Sequence, residues 1–186
     1  MEGRKRGYDQ ILWLLNNEKE FEVTEAGASN FFVVWKTKEG RLELVTAPLD
    51  SKIILDGVTR RSVLELAKER LAKGSSYLTG DVKGVEVVER TFTMLELEEA
   101  HIEGRLVECF LSGTAVSFLF LVNWHLANKL KYFITPVSAI SFKDEDLEIP
   151  MVGGASGYYA ALLKQWLKDI MYGNVQHEWG VVIDEE

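Results

Sequence analysis

The sequence has one cysteine, three histidines and fewer cations than anions. A lone thiol, Cys109, excludes an intrachain disulfide and fits a reducing compartment. It lies in the apolar run Val107 to Leu111, which reads as a buried structural position. His101, His125 and His177 are isolated, and His177-Glu178-Trp179 lacks the second histidine four residues on that a zinc helix uses, so no metal site is expected. Lys and Arg total 21 against 29 Asp and Glu, a net charge of −8, and the densest basic stretch is only Arg4 to Arg6. That balance argues against binding nucleic-acid phosphates. No secretory leader is visible: MEGRKR is followed by a short apolar patch, Ile11 to Leu15, without a small-residue cleavage site. Nor is a bilayer span expected, because Val116 to Phe133 is broken by Asn123, His125, Asn128, Lys129 and Lys131. A serine nucleophile has no supporting G-x-S-x-G turn.

What is present suits one sizeable globular domain: 186 residues, 47% hydrophobic and 11% aromatic. Strand character falls at Tyr8 to Leu15, Phe21 to Thr24, Phe31 to Trp35, Arg41 to Thr46, Val85 to Thr93, Val107 to Ala115, Thr135 to Phe142, Leu147 to Met151 and Trp179 to Ile183. Phe31 to Trp35 is continuously apolar, as in a strand buried on both faces, whereas RLELVT alternates, as in a hairpin with one wet face. Helices are expected past Thr59, where Val63, Leu66, Ala67 and Leu71 fall at helical spacing towards an end closed by Gly74, over Met94 to His101, capped by Thr93, and over Tyr158 to Tyr172, capped by Gly173. Strands and helices in this order predict a mixed α/β or α+β domain.

Two junctions carry chemistry. In Ile54 to Arg70 a glycine turn runs straight into an amphipathic helix. Gly57 lets the backbone turn and approach a ligand without a Cβ penalty, the first-turn N–H groups and the helix dipole favour a phosphate, and Thr59 adds a hydroxyl. Most such junctions bind nothing. The Gly-Thr turn after Val107 to Leu111 is a second place where exposed amides meet a hydroxyl. Glu25, beside a glycine and ahead of a buried strand, either faces a pocket or is a solvated turn residue.

Taken in order, T-E-A-G-A-S-N-F-F, L-D-G-V-T-R, F-L-S-G-T-A, P-V and L-x-D-I-x-Y-G-x-x-x-H-E-W resemble the C-terminal half of branched-chain amino-acid aminotransferases. These belong to fold-type IV of the pyridoxal-phosphate enzymes. The resemblance implies the C-terminal domain of the D-amino-acid aminotransferase-like fold over residues 1–186, with 116–133 an unusual insertion, an unspliced intron being one source. It implies transamination of leucine, isoleucine and valine with 2-oxoglutarate, pyridoxal 5'-phosphate as cofactor, a homodimeric parent enzyme and a cytoplasmic or mitochondrial location, with no nucleic-acid or membrane partner. Glu25 is then the partner of the pyridine nitrogen. Leu55 packs on the ring, Gly57, Val58, Thr59 and Thr114 hold the phosphate, and Thr114 and Ala115 bind the substrate carboxylate. Asp56 stands where the family usually has proline, and Ala28 where some members carry threonine. The lysine that forms the cofactor Schiff base belongs to a K-x-G-G-N-Y segment absent from these 186 residues. It is expected upstream of Met1, so the resemblance places no catalytic residue in this chain and implies little or no turnover by the chain alone. The alternative is a catalytically silent fragment that holds cofactor or a partner.

Overall fold

The computed structural model describes residues 5–18, 20–50, 52–78, 82–113, 133–152, 154 and 156–181. Among them the fold is α+β. A seven-stranded sheet is formed by β1 (Leu12–Asn16), β2 (Phe21–Ala26), β3 (Ser29–Lys36), β4 (Leu42–Thr46), β5 (Glu86–Glu89), β6 (Leu106–Ser112) and β7 (Ile134–Val137). A separate hairpin pairs β8 (Ala139–Phe142) with β9 (Glu145–Glu148). Three helices complete it: α1 (Val58–Arg70), α2 (Met94–Ile102) and α3 (Tyr158–Met171).

β3 is the centre, and its sequence shows why. Every residue from Ser29 to Trp35 is buried, because β4 and β6 flank it and both sheet faces are covered. Phe32 and Val34 pack with Phe110 against α1 and α3. Phe31, Val33 and Trp35 point the other way, towards α2 and the β8–β9 hairpin. An unbroken apolar run suits a two-sided strand because its side chains alternate between two dry faces.

β3's neighbours change along its length. β2 pairs with it only at Ser29 and Asn30, and from Phe32 onward β4 occupies the same edge. At this fork the Phe31 carbonyl accepts the Thr46 hydroxyl at 2.7 Å. β2 bends away to meet the segment after β5: Val23 N–H donates to Phe92 O at 2.9 Å, and Glu22 bridges Thr93.

α2 starts with a reciprocal capping box. Glu96 N–H donates to the Thr93 hydroxyl at 3.2 Å, and Thr93 N–H to Glu96 Oε2 at 3.0 Å. Thr93→Ala is expected to lower unfolding free energy by about 1 kcal/mol in a urea titration, as for other lost caps. α3 ends in a Schellman turn: Gly173, at φ 68°, donates to Ile170 O at 3.1 Å, and Asn174 N–H to Asp169 O at 2.8 Å.

Several boundaries differ from the sequence expectation. β1 begins at Leu12 rather than Tyr8. RLELVT has no wet face, because Leu44 and Val45 enter opposite core clusters and β5 covers the outer edge of β4. Only Glu86–Glu89 of the stretch Val85 to Thr93 is strand. Thr135 to Phe142 divides at Ser138 between the main sheet and the hairpin. α1 ends at Arg70 with Leu71 as its C-cap, four residues before Gly74, so Gly74 does not close it. Residues 179–181 of the expected last strand are not strand: Trp179 N–H donates to His177 Nδ1 at 3.3 Å and Gly180 N–H to His177 O at 3.0 Å, a local turn. Cys109 is a free, buried thiol whose pKa burial pushes well above its ordinary value, which agrees with a structural role. No described helix is long and apolar enough to cross a membrane.

Candidate functional site

Strand register builds a row of side chains across the end of the sheet. Glu25 lies opposite Asn30, Asn30 opposite Ser112, and Ser112 opposite Ile134. Directly opposed residues share a sheet face. Here it is the face of Phe32 and Phe110, on which α1 packs.

The connection from β4 to α1 meets this row at Leu55. Leu55 N–H donates to Glu25 Oε2 at 3.3 Å, and Asn30 Nδ2 donates to Leu55 O at 2.9 Å. Gly57 N–H donates to the same carbonyl at 2.9 Å. One peptide segment is therefore held by two strands at the point where they part. The Leu55 side chain, with both its backbone polar groups fixed, projects outward at 68% exposure.

Gly57 is the N-cap of α1, but not for the conformational reason that the sequence suggests. Its φ of −68° and ψ of 135° are extended values open to any residue. The constraint is space: a Cβ on Gly57 would stand 2.6 Å from Asn30 Oδ1. With no side-chain cap bond and no acidic residue in its first turn, α1 leaves its leading amides to an outside acceptor. Val58 is 68% exposed at this end, whereas Thr59 is buried. Asp56, beside the turn, pairs with Arg61 at 3.4 Å.

The second junction arrives at the same place. A Cβ on Gly113 would meet Ser29 Oγ at 2.9 Å and Ala28 O at 3.4 Å, so the S-G turn rests on the β2–β3 hairpin. Ser112 is fully buried, and its Oγ has no hydrogen-bond partner among the described residues. Thr114 and Ala115 lie outside the described residues.

Electrostatics anchor the first turn of α1. Arg60 is 1% exposed, and its Nη2 donates to Ala47 O at 2.8 Å and to Glu89 Oε2 at 2.9 Å. Glu89 also accepts Lys68 Nζ at 3.1 Å. Burial works to raise the Glu89 pKa, but the hydrogen bonds and charges of Lys68 and Arg60 outweigh it and hold the carboxyl below its ordinary value.

Of the residues expected at the site, the structure gathers Glu25, Leu55, Gly57, Val58 and Thr59 around one cross-strand row. Sequence reasoning missed Asn30 and Ser112 as members of that row. Their signal was faint: each is a small polar residue at the end of an apolar strand.

Comparison with known proteins points the same way. Residues 1–124 match the family model for amino-transferase class IV. The mitochondrial branched-chain-amino-acid aminotransferase of Schizosaccharomyces pombe is 39% identical over 182 residues, 97% of this chain and 36% of that protein. The branched-chain-amino-acid aminotransferase of Dictyostelium discoideum is 34% identical over 185 residues, 99% of this chain and 40% of that protein. The cytosolic enzyme of that name from Saccharomyces cerevisiae is 37% identical over 188 residues, 100% of this chain and 43% of that protein. The chain thus spans well under half the length of these curated relatives. A match over two-thirds of the sequence, on a fold whose β2–β3 turn, α1 N-terminus and β6 end converge, places the chain in the amino-transferase class IV family.

Proposed function

We propose that this chain is the cofactor-binding half of a branched-chain-amino-acid aminotransferase, holding pyridoxal 5'-phosphate between Glu25 and the N-terminus of α1. The observation that carries the reading is the joint anchoring of Leu55: the acidic row and the uncapped helix share one peptide segment. The residues fit such a ligand. The leading amides of α1 lack a side-chain cap, and Ser112 Oγ is a buried polar atom without a partner among the described residues.

When bound, the cofactor supplies an electron sink that lets an amino group pass between an amino acid and a 2-oxo acid. Glu25 has one oxygen engaged by Leu55 N–H. The Glu25 carboxylate would pair with the cofactor's pyridine nitrogen and hold a proton there. The amides of Val58 and Thr59 and the Thr59 hydroxyl hold the phosphate, with the helix dipole adding to the attraction, whereas the Gly57 N–H expected to join them is turned to Leu55 O at 2.9 Å. Exposed Leu55 offers its apolar side chain to the ring face. Thr114 belongs to the same phosphate shell, and with Ala115 it binds the substrate carboxylate.

Branched-chain amino acids are the substrates that the relatives' names support, and the motif resemblance makes them leucine, isoleucine and valine with 2-oxoglutarate; the parent enzyme is a homodimer, cytoplasmic or mitochondrial. The lysine that anchors the cofactor lies in no K-x-G-G-N-Y segment of these 186 residues. It comes from outside this stretch, and the chain alone binds without turning over. Residues 116–133 are an insertion within this single domain. Its flanks support this: Ser112 of β6 lies opposite Ile134 of β7, so the strands on either side of it meet as neighbours.

The test is an absorbance titration of the chain with pyridoxal phosphate, then borohydride reduction and mass analysis. Saturable binding is expected, weakened about tenfold by Glu25→Ala, the scale of one charged hydrogen bond. No lysine-specific adduct should form. Equal affinity of wild type and Glu25→Ala would overturn the ring-nitrogen assignment, and an adduct mapped to one lysine would overturn the absence of turnover.

A further inference from the structure

Asn30 does more than pack. Its Nδ2 donates to Leu55 O, while its Oδ1 faces the bare Cα of Gly57 at a distance where a Cβ would have only 2.6 Å. It stands opposite Glu25, whose Oε2 accepts from the N–H of the same Leu55. Leu55 is thus gripped through its N–H by one row member and through its carbonyl by the next. At 4% exposure, Asn30 is shielded from solvent that might otherwise compete for these bonds.

We propose that Asn30 is a positioning residue that sets the spacing between the Glu25 carboxylate and the Val58 and Thr59 amides, so that both ends of one rigid ligand are met at once. This rests on the cofactor reading above. It also gives a different reason for the glycine at 57: the residue is small for Asn30, not for the phosphate. Binding of a two-ended ligand depends on how well its two subsites are pre-spaced, whereas binding of either end alone does not.

The experiment compares three probes on the intact chain: pyridoxal phosphate, pyridoxal and inorganic phosphate. Asn30→Ala is expected to weaken pyridoxal phosphate about tenfold while leaving each half-ligand within about twofold, because spacing alone is lost. A general structural role would weaken all three together, and that result would overturn the proposal. Asn30→Ser adds no charge beside the phosphate site, is too short to reach Leu55 O and should behave alike, which covers the case in which the alanine variant does not fold. A double-mutant cycle with Gly57→Ala supplies the second arm. If the glycine serves Asn30, the double variant loses about as much as the worse single variant; independent roles would multiply the losses to about a hundredfold and overturn the clasp. The same cycle read by urea unfolding without ligand separates the two readings. Should wild type bind no pyridoxal phosphate, the cofactor assignment fails, and with it the positioning role, while non-additive unfolding energies would still establish the contact between Asn30 and Gly57.

Discussion

Glu108→Ala is expected to lower the unfolding free energy by about 3–5 kcal/mol, because it strands two buried backbone donors and opens a cavity. Glu108 projects from β6 at 1% exposure. Its Oε2 accepts Tyr159 N–H at 3.0 Å and its Oε1 accepts Ala160 N–H at 2.7 Å. α3 has no side-chain cap of its own at Gly157, and a Cβ there would overlap the Glu108 carboxylate. A sheet residue therefore does for this helix what an N-cap serine or aspartate does elsewhere. The buried face of α3, including Tyr159, Leu163 and Ile170, depends on the angle so fixed. Glu108→Gln should lose less, about 1–3 kcal/mol, since an amide offers one acceptor where two are needed. Burial pushes the Glu108 pKa above its ordinary 4.5, with the amides of Ala160, Tyr159 and Tyr158 pulling against it. A raised folded pKa means that the folded state holds its proton longer than the unfolded chain. This contribution is therefore full below pH 4.5 and declines as pH rises through the folded value. Urea midpoints measured across that window should show the decline in wild type and not in Glu108→Gln.

The second large effect is expected at Glu89. Glu89→Ala leaves Arg60, 1% exposed, with Ala47 O as its one remaining hydrogen-bond acceptor and its Nε unpartnered among the described residues. Breaking a fully buried pair costs roughly 3–5 kcal/mol; because the Glu89 side chain is 34% exposed, a figure of about 2–4 kcal/mol is expected. Arg60→Met removes the charge along with its need for a partner, and Glu89 keeps Lys68. It should cost less, and the order Glu89→Ala worse than Arg60→Met separates a stranded charge from lost packing. The pH sign is opposite to that of Glu108. Glu89 is held below 4.5, so its contribution is present above that value and lost as pH falls through its folded pKa. Because Arg60 sits in the first turn of α1, Glu89→Ala should also weaken pyridoxal phosphate binding, readable in the same absorbance titration. Urea midpoints that place Arg60→Met below Glu89→Ala would overturn the stranded-charge account.

What the sequence disclosed follows from how local each feature is. The Thr93 cap, the Gly173 stop and the two-sided strand at Phe31 to Trp35 are written in short windows, and each is found. The start of α1 was legible too, though for the wrong reason at Gly57. Its neighbour Asn30 is distant in sequence, and no local pattern encodes the missing space between them. The same blindness hid Ser112, whose relation to Asn30 is a matter of register between β3 and β6. RLELVT misled because alternation reports the chemistry of side chains, whereas both faces of β4 are covered, with Leu44 in one core cluster and Val45 in the other. Residues 179–181 misled because an apolar cluster after a glycine turn reads as strand, while His177 holds Trp179 and Gly180 in a turn; Val182 and Ile183 lie outside the described residues.

The cross-strand row also has a history within each folding event. Glu25 and Asn30 meet through a tight hairpin and can pair early, but Asn30 reaches Leu55 across 25 residues and Glu25 reaches it across 30. Ser112 must then be delivered from the far half of the chain, by an antiparallel partner that cannot dock until α1, β5 and α2 have been threaded between. Contacts of such long sequence separation are entropically expensive to close and tend to form late. The corner where Glu25, Asn30, Leu55 and Ser112 meet is thus expected to close late in folding, and a nascent chain that stops short of β6 has the Glu25 side of the corner without Ser112.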